Sequence, residues 1–271
     1  MPETDRLSVR PRSYLAERAV TWFTNAGIEV VPIPILISDA EARAYVQSVN
    51  GLYFQGGPSL EPNYVHLVKR LLANAMALNK PVWGTCHGFQ MLVMLLGGVY
   101  PLDDIDAMRR ETSVLTPYGK GEGRLPLHKM RIPYEARLFS HQHGITLAHF
   151  LGNPALMRTF RILATTRDRA GTVYVSAIEG LTHPLYGVQF HPENDRTGAL
   201  DWMVEFFKKD LEGVGEGVGK GVGKGVGNRV GKALDITRQT LYPCPSAWQD
   251  YAHHKGENPH CYVFEARPKK I

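Results

Sequence analysis

Residues 81–98 read PVWGTCHGFQMLVMLLGG. The first of them form a short apolar run typical of a buried strand, and the residues after Cys86 predict a helix that stops at Gly97-Gly98. Residues 84–88, Gly-Thr-Cys-His-Gly, therefore have the Gly-x-nucleophile-x-Gly spacing of a nucleophile elbow, between a strand and a helix as that motif requires. We expect the glycines to permit a tight, strained turn that raises the Cys86 side chain above the sheet edge.

The sequence on either side alternates helix-like and strand-like segments. Helices are predicted over residues 12–25, 39–49, 64–78, 87–96 and 198–209. Strands are predicted over residues 28–33, 51–54 and 184–190, with a hairpin over 161–167 and 172–178. Alternation of this kind predicts an α/β fold with a three-layer, doubly wound, mostly parallel sheet of the flavodoxin-like type.

The predicted helix after Cys86 supplies the electrostatics that a nucleophile needs. Its free amides and positive dipole end favour thiolate over thiol. We expect the amide of His87 to donate to a developing oxyanion, joined by an amide from Gly57 in the Gly56-Gly57 turn that follows the strand at 51–54. A lone Gly-x-Cys-x-Gly is equally typical of a buried cysteine beside packing glycines, so the assignment depends on a second group.

That second group is a histidine at the end of another strand. His191-Pro192-Glu193 follows the predicted strand at 184–190. In a doubly wound sheet, reactive groups gather at the carboxyl ends of the strands, so we expect His191 to meet Cys86. Glu193 is placed to accept the other ring proton and fix the tautomer. The sequence therefore predicts Cys86 as nucleophile, His191 as base and Glu193 as its orienting acid.

Taken together, these residues resemble those of the γ-glutamyl hydrolases, folate-polyglutamate hydrolases within the class I glutamine amidotransferase-like superfamily. The resemblance runs from about Tyr14 to Phe264 and is carried by NAGIEVVPIP, PVWGTCHGF, YGVQFHPE and the terminal CYVF. It implies the same catalytic roles for Cys86, His191 and Glu193. It also implies that His141, in SHQHGITL, lies near the pocket and helps to bind the substrate's glutamate carboxylates, and that the protein is a homodimer.

Three features depart from the family pattern. The family's first strand is not visible in the polar residues 1–11, which leaves a truncated chain, a sheet one strand short or a pocket lacking one wall as alternatives. Phe190 stands where the family has tryptophan. The stretch after Glu193 is short, whereas family members carry an insertion there that shapes the cleft. The sequence thus indicates the chemistry of Cys86 and His191 more firmly than it indicates specificity for folate polyglutamates.

The predicted reaction is cleavage of a γ-glutamyl amide bond. The Cys86 thiolate attacks the carbonyl, His191 protonates the departing amine, and water resolves a thioester, with no metal or cofactor required. Two alternatives stay open. One is a glutaminase subunit that feeds ammonia to a partner synthase, and the other is a catalytically inactive scaffold on the same fold.

The resemblance implies a small-molecule substrate, a poly-γ-glutamyl folate or a related γ-glutamyl peptide, and composition does not favour other partners. The charge of +5 comes from 31 basic and 26 acidic residues that are scattered along the chain, which does not favour a nucleic-acid partner. No run of about 18 apolar residues predicts a membrane span. Residues 1–7 lack the pattern of a secretory leader, whereas family members are often lysosomal, vacuolar or secreted, so the compartment stays open.

The 271 residues fit a single domain interrupted by one low-complexity segment. Residues 212–232 repeat Gly, Val, Gly and a charged residue, which predicts a flexible loop. The later CYVF is predicted as an edge strand of the sheet. At most one disulfide can form, between Cys244 and Cys261. The spacing of the late cysteines and histidines fits no zinc pattern, so no metal site is predicted. These residues are Cys244, His253, His254, His260 and Cys261.

Overall fold

The computed structural model describes residues 12–57, 62–107, 115–119, 123–127, 139–195, 197–217, 241–243 and 260–265. The helices are α1 (Glu17–Asn25), α2 (Asp39–Ser48), α3 (Pro62–Ala77), α4 (His87–Gly97), α5 (Leu147–Gly152), α6 (Pro154–Thr159) and α7 (Asp201–Gly217). The strands are β1 (Arg12–Ala16), β2 (Leu52–Phe54), β3 (Val82–Thr85), β4 (Asp103–Ala107), β5 (Thr116–Pro117), β6 (His141–Gly144), β7 (Phe160–Arg167), β8 (Val173–Gly180), β9 (Leu185–Val188), β10 (Leu241–Pro243) and β11 (His260–Glu265).

Within the described residues, the central sheet has six strands in the order β2-β3-β9-β8-β7-β5. Strands β2, β3 and β9 run parallel, so their carboxyl ends share one edge of the sheet. The other pairings are antiparallel, and among them β7 and β8 form a hairpin joined by the tight turn at 168–172. The predicted α/β class is confirmed, but the expectation of a mostly parallel sheet is wrong, because among the described strands of this sheet three pairings are antiparallel and two are parallel.

Two apolar cores cover the two faces of the sheet, which gives the three layers expected. On one face Trp83 of β3 packs with Trp22 of α1 and Phe207 of α7. On the other face Val82 of β3 packs with residues of α2, α3 and α4. Successive residues of β3 therefore point to opposite cores, and burial of both faces fixes the strand's register and the position of Cys86 at its end.

Three local predictions were wrong. The segment predicted as a helix from residue 12 begins as β1, and α1 starts at Glu17. The CYVF segment is not an edge of the main sheet, since β11 is the middle strand of a separate antiparallel sheet in the order β1-β11-β10. Residues 28–33 form no strand. They line a cavity of about 950 Å³ beside the end strand β2, and no strand in the described part of the chain pairs with them.

The Gly/Val repeat is partly helical. Helix α7 continues to Gly217, so residues 212–217 belong to it and the predicted loop does not start at 212. Residues 218–232 lie outside the described residues, as do Cys244, His253 and His254. Over the ranges given above, no helix is long and apolar enough to cross a membrane.

Candidate active site

The turn after β3 holds Cys86 in an unusual backbone conformation. Cys86 has φ 51° and ψ −102°, which is rare for a residue with a side chain and is typical of a nucleophile elbow. Its amide donates to the carbonyl of Val188 at 2.8 Å, and its carbonyl accepts from the amide of Gln90 at 3.0 Å. The strained residue is therefore tied to β9 on one side and to α4 on the other.

The two glycines of the elbow are required by close backbone packing. A β-carbon added to Gly84 would lie 2.6 Å from the carbonyl oxygen of Gly88. A β-carbon added to Gly88 would lie 2.0 Å from the carbonyl oxygen of Phe54, in β2. These distances are far below a van der Waals contact, so the Gly-x-Cys-x-Gly spacing is what lets strand, turn and helix approach one another.

His191 meets Cys86 at the same edge of the sheet. It follows β9 and opens a one-turn 3-10 helix, Pro192–Asn194. The Nδ1 atom of His191 lies 2.7 Å from Oε1 of Glu193, and both side chains are largely buried. The ring also hydrogen-bonds the Cys86 side chain. Because Nδ1 is engaged by Glu193, that second contact uses Nε2, and the ring lies between the carboxylate and the sulfur.

Charge around His191 favours its protonated form. Burial by itself lowers the pKa of His191, but the negative charges of Glu193 and Cys86 together raise that pKa well above its usual range. A protonated imidazole next to the sulfur stabilises a thiolate, and it also holds a proton ready for a departing amine. The arrangement can therefore perform nucleophilic and general acid chemistry.

The glycine turn after β2 lies against this pair. A β-carbon on Gly56 would lie 2.4 Å from Cε1 of His191, so the turn touches the ring directly. Gly57 is the last described residue before the gap at 58–61. His87 opens α4, and its ring is buried, stacks on Tyr64 at 5.8 Å between centroids and lies 3.3 Å from Oε1 of Gln90. The structure brings Gly56 and His87 to the Cys86–His191 pair, and the oxyanion role of the His87 and Gly57 amides stays a prediction.

His141 is buried in the core, close enough to His191 for the charges of the two rings to interact. It is fully buried beside Phe139 and Tyr174, and its Nδ1 donates to the carbonyl of His143 at 3.0 Å. Burial lowers the pKa of His141 to about 3, so its ring is neutral at neutral pH. Among the described residues no group hydrogen-bonds its Nε2. A neutral ring offers no positive charge to a carboxylate, and the expected role of His141 in binding the substrate stays a prediction.

One family model matches a segment of the chain that includes both Cys86 and His191. The model of the family "Glutamine amidotransferase class-I" matches residues 15–209, which is more than half of the chain and includes Cys86, His191 and Glu193. The chain belongs to the class I glutamine amidotransferase family.

Curated relatives of this class I amidotransferase chain include γ-glutamyl hydrolases. This chain is 29% identical over 214 residues to gamma-glutamyl hydrolase of Mus musculus, and the match covers 74% of this chain and 64% of the relative. It is 28% identical over 221 residues to the Homo sapiens protein of that name, covering 75% and 65%. It is 29% identical over 208 residues to gamma-glutamyl hydrolase 1 of Arabidopsis thaliana, covering 70% and 58%. The chain thus spans less than two thirds of the length of these relatives.

Solved structures show the same fold at low sequence identity. The glutaminase domain of Trypanosoma brucei CTPS with bound acivicin superposes with a TM-score of 0.55 at 18% identity, covering 72% of this chain and 87% of that domain. A putative GMP synthase component of Thermoplasma acidophilum superposes with a TM-score of 0.53 at 17% identity, covering 74% and 89%. These similarities support the class I amidotransferase architecture and nothing finer.

Sequence reasoning missed a pair of buried glutamines near the site. Gln90 and Gln189 lie 3.4 Å apart, from Nε2 of the first to Oε1 of the second. Gln90 is the one polar residue after His87 in helix α4, and Gln189 is a buried polar residue directly after β9, two positions before His191. A long polar side chain enclosed in an apolar segment is the signal that would have drawn attention to them.

Proposed function

We propose that this chain is a cysteine hydrolase that cleaves γ-glutamyl amide bonds, with folate poly-γ-glutamates as its substrate class. The observation that carries the proposal is the position of His191, whose ring lies between Glu193, 2.7 Å from Nδ1, and the Cys86 side chain at a strained elbow. This is the order of acid, base and nucleophile that acyl transfer requires.

The proposed reaction uses only groups at this site. The Cys86 thiolate adds to the γ-carbonyl carbon, and the resulting oxyanion accepts hydrogen bonds from the amides of His87 and Gly57. The C–N bond then breaks as His191 passes its proton to the departing amine, which leaves a thioester on Cys86. His191, now neutral, takes a proton from water, and the attack of that water releases the acid and restores the thiolate.

The relatives support the γ-glutamyl bond as the target, and the folate part of the proposal follows from the sequence resemblance. Curated proteins similar in sequence include gamma-glutamyl hydrolases from mammals, a plant and Dictyostelium discoideum. The fold is shared with a glutaminase domain and a synthase component, so hydrolysis of free glutamine is the natural competing activity. The homodimer expected from the family resemblance belongs to the same proposal, and the molar mass in solution tests it.

The experiment compares two substrates and two enzymes. Release of glutamate from 4-aminobenzoyl-penta-γ-glutamate and from glutamine is measured for the wild type and Cys86→Ala, with Cys244→Ala as a matched control that removes a different cysteine. We expect turnover of the polyglutamate by the wild type and the control, and a loss of at least about a thousandfold in Cys86→Ala. Preference for glutamine would support the glutaminase alternative, and turnover of neither substrate would support the scaffold.

A further inference from the structure

The cavity of about 950 Å³ beside β2 lies between the two apolar layers that cover the main sheet. It separates β2 from residues 28–33, and side chains of both layers form its walls. The wall residues are Phe23, Phe207 and Leu211 on one face and Leu67, Val68 and Leu71 on the other. Well-packed cores contain few voids larger than a water molecule, so a space of this size between two apolar layers is a candidate binding site.

The β2 side of the cavity presents backbone groups that can pair with a further strand. The amide of Leu52 donates to the carbonyl of Pro81 at 2.9 Å, on the side of β3. The backbone groups of successive strand residues point to opposite sides, so those of Tyr53 point away from β3 and towards the cavity. No residue in the described part of the chain hydrogen-bonds the Tyr53 backbone. Such an edge favours the addition of another strand.

The opposite side of the cavity is an extended segment of strand-like composition. Residues 28–33 read IEVVPI, and none of the described strands pairs with them. Ile28 and Val30 pack against one apolar layer, and Ile33 packs against the other. This segment therefore continues the plane of the sheet, and the cavity occupies the position between it and β2.

The two ends of the cavity define the length of segment that fits. At one end, Gly51 lies against the side chain of Leu211. At the other end, Nε2 of Gln55 donates to the carbonyl of Tyr14 at 2.7 Å, and both residues line the cavity. A strand advances about 3.3 Å per residue, so the stretch from Gly51 to Gln55 spans about 13 Å and matches a strand of about five residues.

We propose that this cavity binds an extended segment of about five apolar residues from another polypeptide, which adds to β2 as a further strand. Both faces of such a strand meet an apolar layer, so its side chains must be apolar on both faces. The bound strand would end beside the turn at Gly56, which touches the ring of His191. The partner thus braces one wall of the candidate active site.

The N-terminal residues of this chain do not have the required pattern. Leu7 and Val9 alternate with Arg6, Ser8 and Arg10. A strand of this sequence would place two arginines against one of the two apolar layers, and burial of an unpaired charge is costly. The pattern therefore favours a segment of a different polypeptide.

The test uses the full chain and four synthetic peptides. The parent peptide is acetyl-Lys-Lys-Val-Ile-Ala-Val-Val-Lys-Lys-amide. The second peptide has proline at two of the five central positions, which removes amide donors and keeps the apolar character. The third has serine and threonine in place of the five apolar residues, and the fourth is the sequence of residues 4–10. Fluorescence anisotropy gives the Kd of each peptide, and thermal unfolding gives the midpoint with and without it.

A pair of protein variants places the binding site. Val30→Arg puts a charge on the wall of the cavity. Leu181→Arg is the matched control, because it replaces an exposed apolar residue that does not line the cavity.

We expect the parent peptide, at about ten times its Kd, to raise the thermal midpoint by at least about 3 °C. The other three peptides should bind at least about tenfold more weakly, because they lack either backbone donors or apolar side chains. Val30→Arg should weaken binding of the parent peptide at least about tenfold, and Leu181→Arg should leave it unchanged.

Three results would overturn the proposal. The first is failure of the parent peptide to bind, and the second is equal binding of the proline peptide, which would indicate a pocket for apolar ligands that uses no backbone pairing. The third is equal binding of the peptide of residues 4–10, which would assign the cavity to this chain's own segment. If Val30→Arg does not fold, the comparison of the parent and proline peptides decides. No measurement uses a substrate, so the result is independent of the proposed function.

Discussion

Gly56 and the imidazole of His191 are in direct contact, and the contact leaves no room for a methyl group. A β-carbon on Gly56 would lie 2.4 Å from Cε1, 3.2 Å from Nδ1 and 3.3 Å from Nε2. The turn after β2 therefore forms one wall of the space in which the ring sits, beside the sulfur and the carboxylate that hold its two nitrogens. The turn after β2 thus helps to fix the geometry of the Cys86–His191 pair, in addition to β3 and β9.

Gly56→Ala is expected to impair activity while leaving the fold almost unchanged. The atoms in the way belong to the far end of a side chain, so the ring of His191 can swing aside at little cost to the backbone. We expect kcat/KM to fall by about a hundredfold and the free energy of unfolding to change by less than about 1 kcal/mol. Parallel assays of turnover and urea unfolding check this, with Gly152→Ala, where nothing lies within 4 Å, as control. Full activity in Gly56→Ala would mean that the ring position is not critical.

Gly88→Ala is expected to have the opposite signature. Its β-carbon would meet the carbonyl oxygen of Phe54 at 2.0 Å, which is backbone and cannot move without separating β2 from α4. We expect a loss of roughly 3 kcal/mol or more, or failure to fold, with activity falling in proportion to the folded fraction. Urea unfolding beside the same Gly152→Ala control measures it. A stable, active Gly88→Ala protein would contradict the packing described for the elbow.

Glu193→Gln tests the charge that acts on His191. Burial lowers the pKa of His191 while Glu193 and Cys86 raise it, so removing the Glu193 charge must lower that pKa. His191 then loses its proton at a lower pH, and the alkaline limb of the kcat/KM profile shifts to lower pH. The pH profile from 5 to 10 measures the shift, and Glu205→Gln, an exposed site on α7, serves as control. An alkaline limb that stays in place or moves upward would show that Glu193 does not set the protonation of the base.

Because His141 is buried in its neutral form, we expect the stability of the fold to be sensitive to mild acid. Burial lowers the pKa of His141 to about 3 in the folded protein, whereas the unfolded chain takes up the proton near 6.5. Between these two pH values the unfolded state binds more protons than the folded state. The contribution of neutral His141 to the free energy of unfolding is therefore present above about pH 6.5 and is lost as the pH falls towards 3. The free energy of unfolding should fall by up to about 1.4 kcal/mol per pH unit more steeply in the wild type than in His141→Gln.

The control for this measurement is His66→Gln, which replaces an exposed histidine on α3. Its pH dependence between 7 and 5 should follow the wild type. The ring of His141 should also keep constant NMR shifts from pH 8 to pH 5, and a titration midpoint near 6.5 would refute the assignment.

The parts of the site that sequence could predict are those encoded by short-range spacing. Gly84, Cys86 and Gly88 specify the elbow locally, because the turn needs glycine on both sides of the strained residue. His191 could be placed next to Cys86 because parallel strands present their carboxyl ends at one edge, and β3 and β9 proved to be neighbours. The neighbouring positions of β3 and β9 therefore bring the Cys86 motif and the His191 motif together in one site.

What the sequence could not predict depends on neighbours far along the chain. Residues 28–33 have strand-like composition, yet a strand forms only where another strand offers hydrogen bonds, and none of the described strands pairs with them. The same holds for β11, which pairs with β1 and β10 rather than with the main sheet. His141 looked like a loop histidine until the packing of Phe139 and Tyr174 around it was known.

The most direct test of the central claim is to trap the acyl group on Cys86. The wild type is mixed with 4-aminobenzoyl-penta-γ-glutamate, quenched in acid within milliseconds to seconds, digested and examined by mass spectrometry. The account predicts an aminobenzoyl-glutamyl thioester on the peptide that contains Cys86, absent from Cys86→Ala and lost with time as water resolves it. Steady hydrolysis with Cys86 fully alkylated, or an adduct on Cys244 or Cys261 instead, would contradict it.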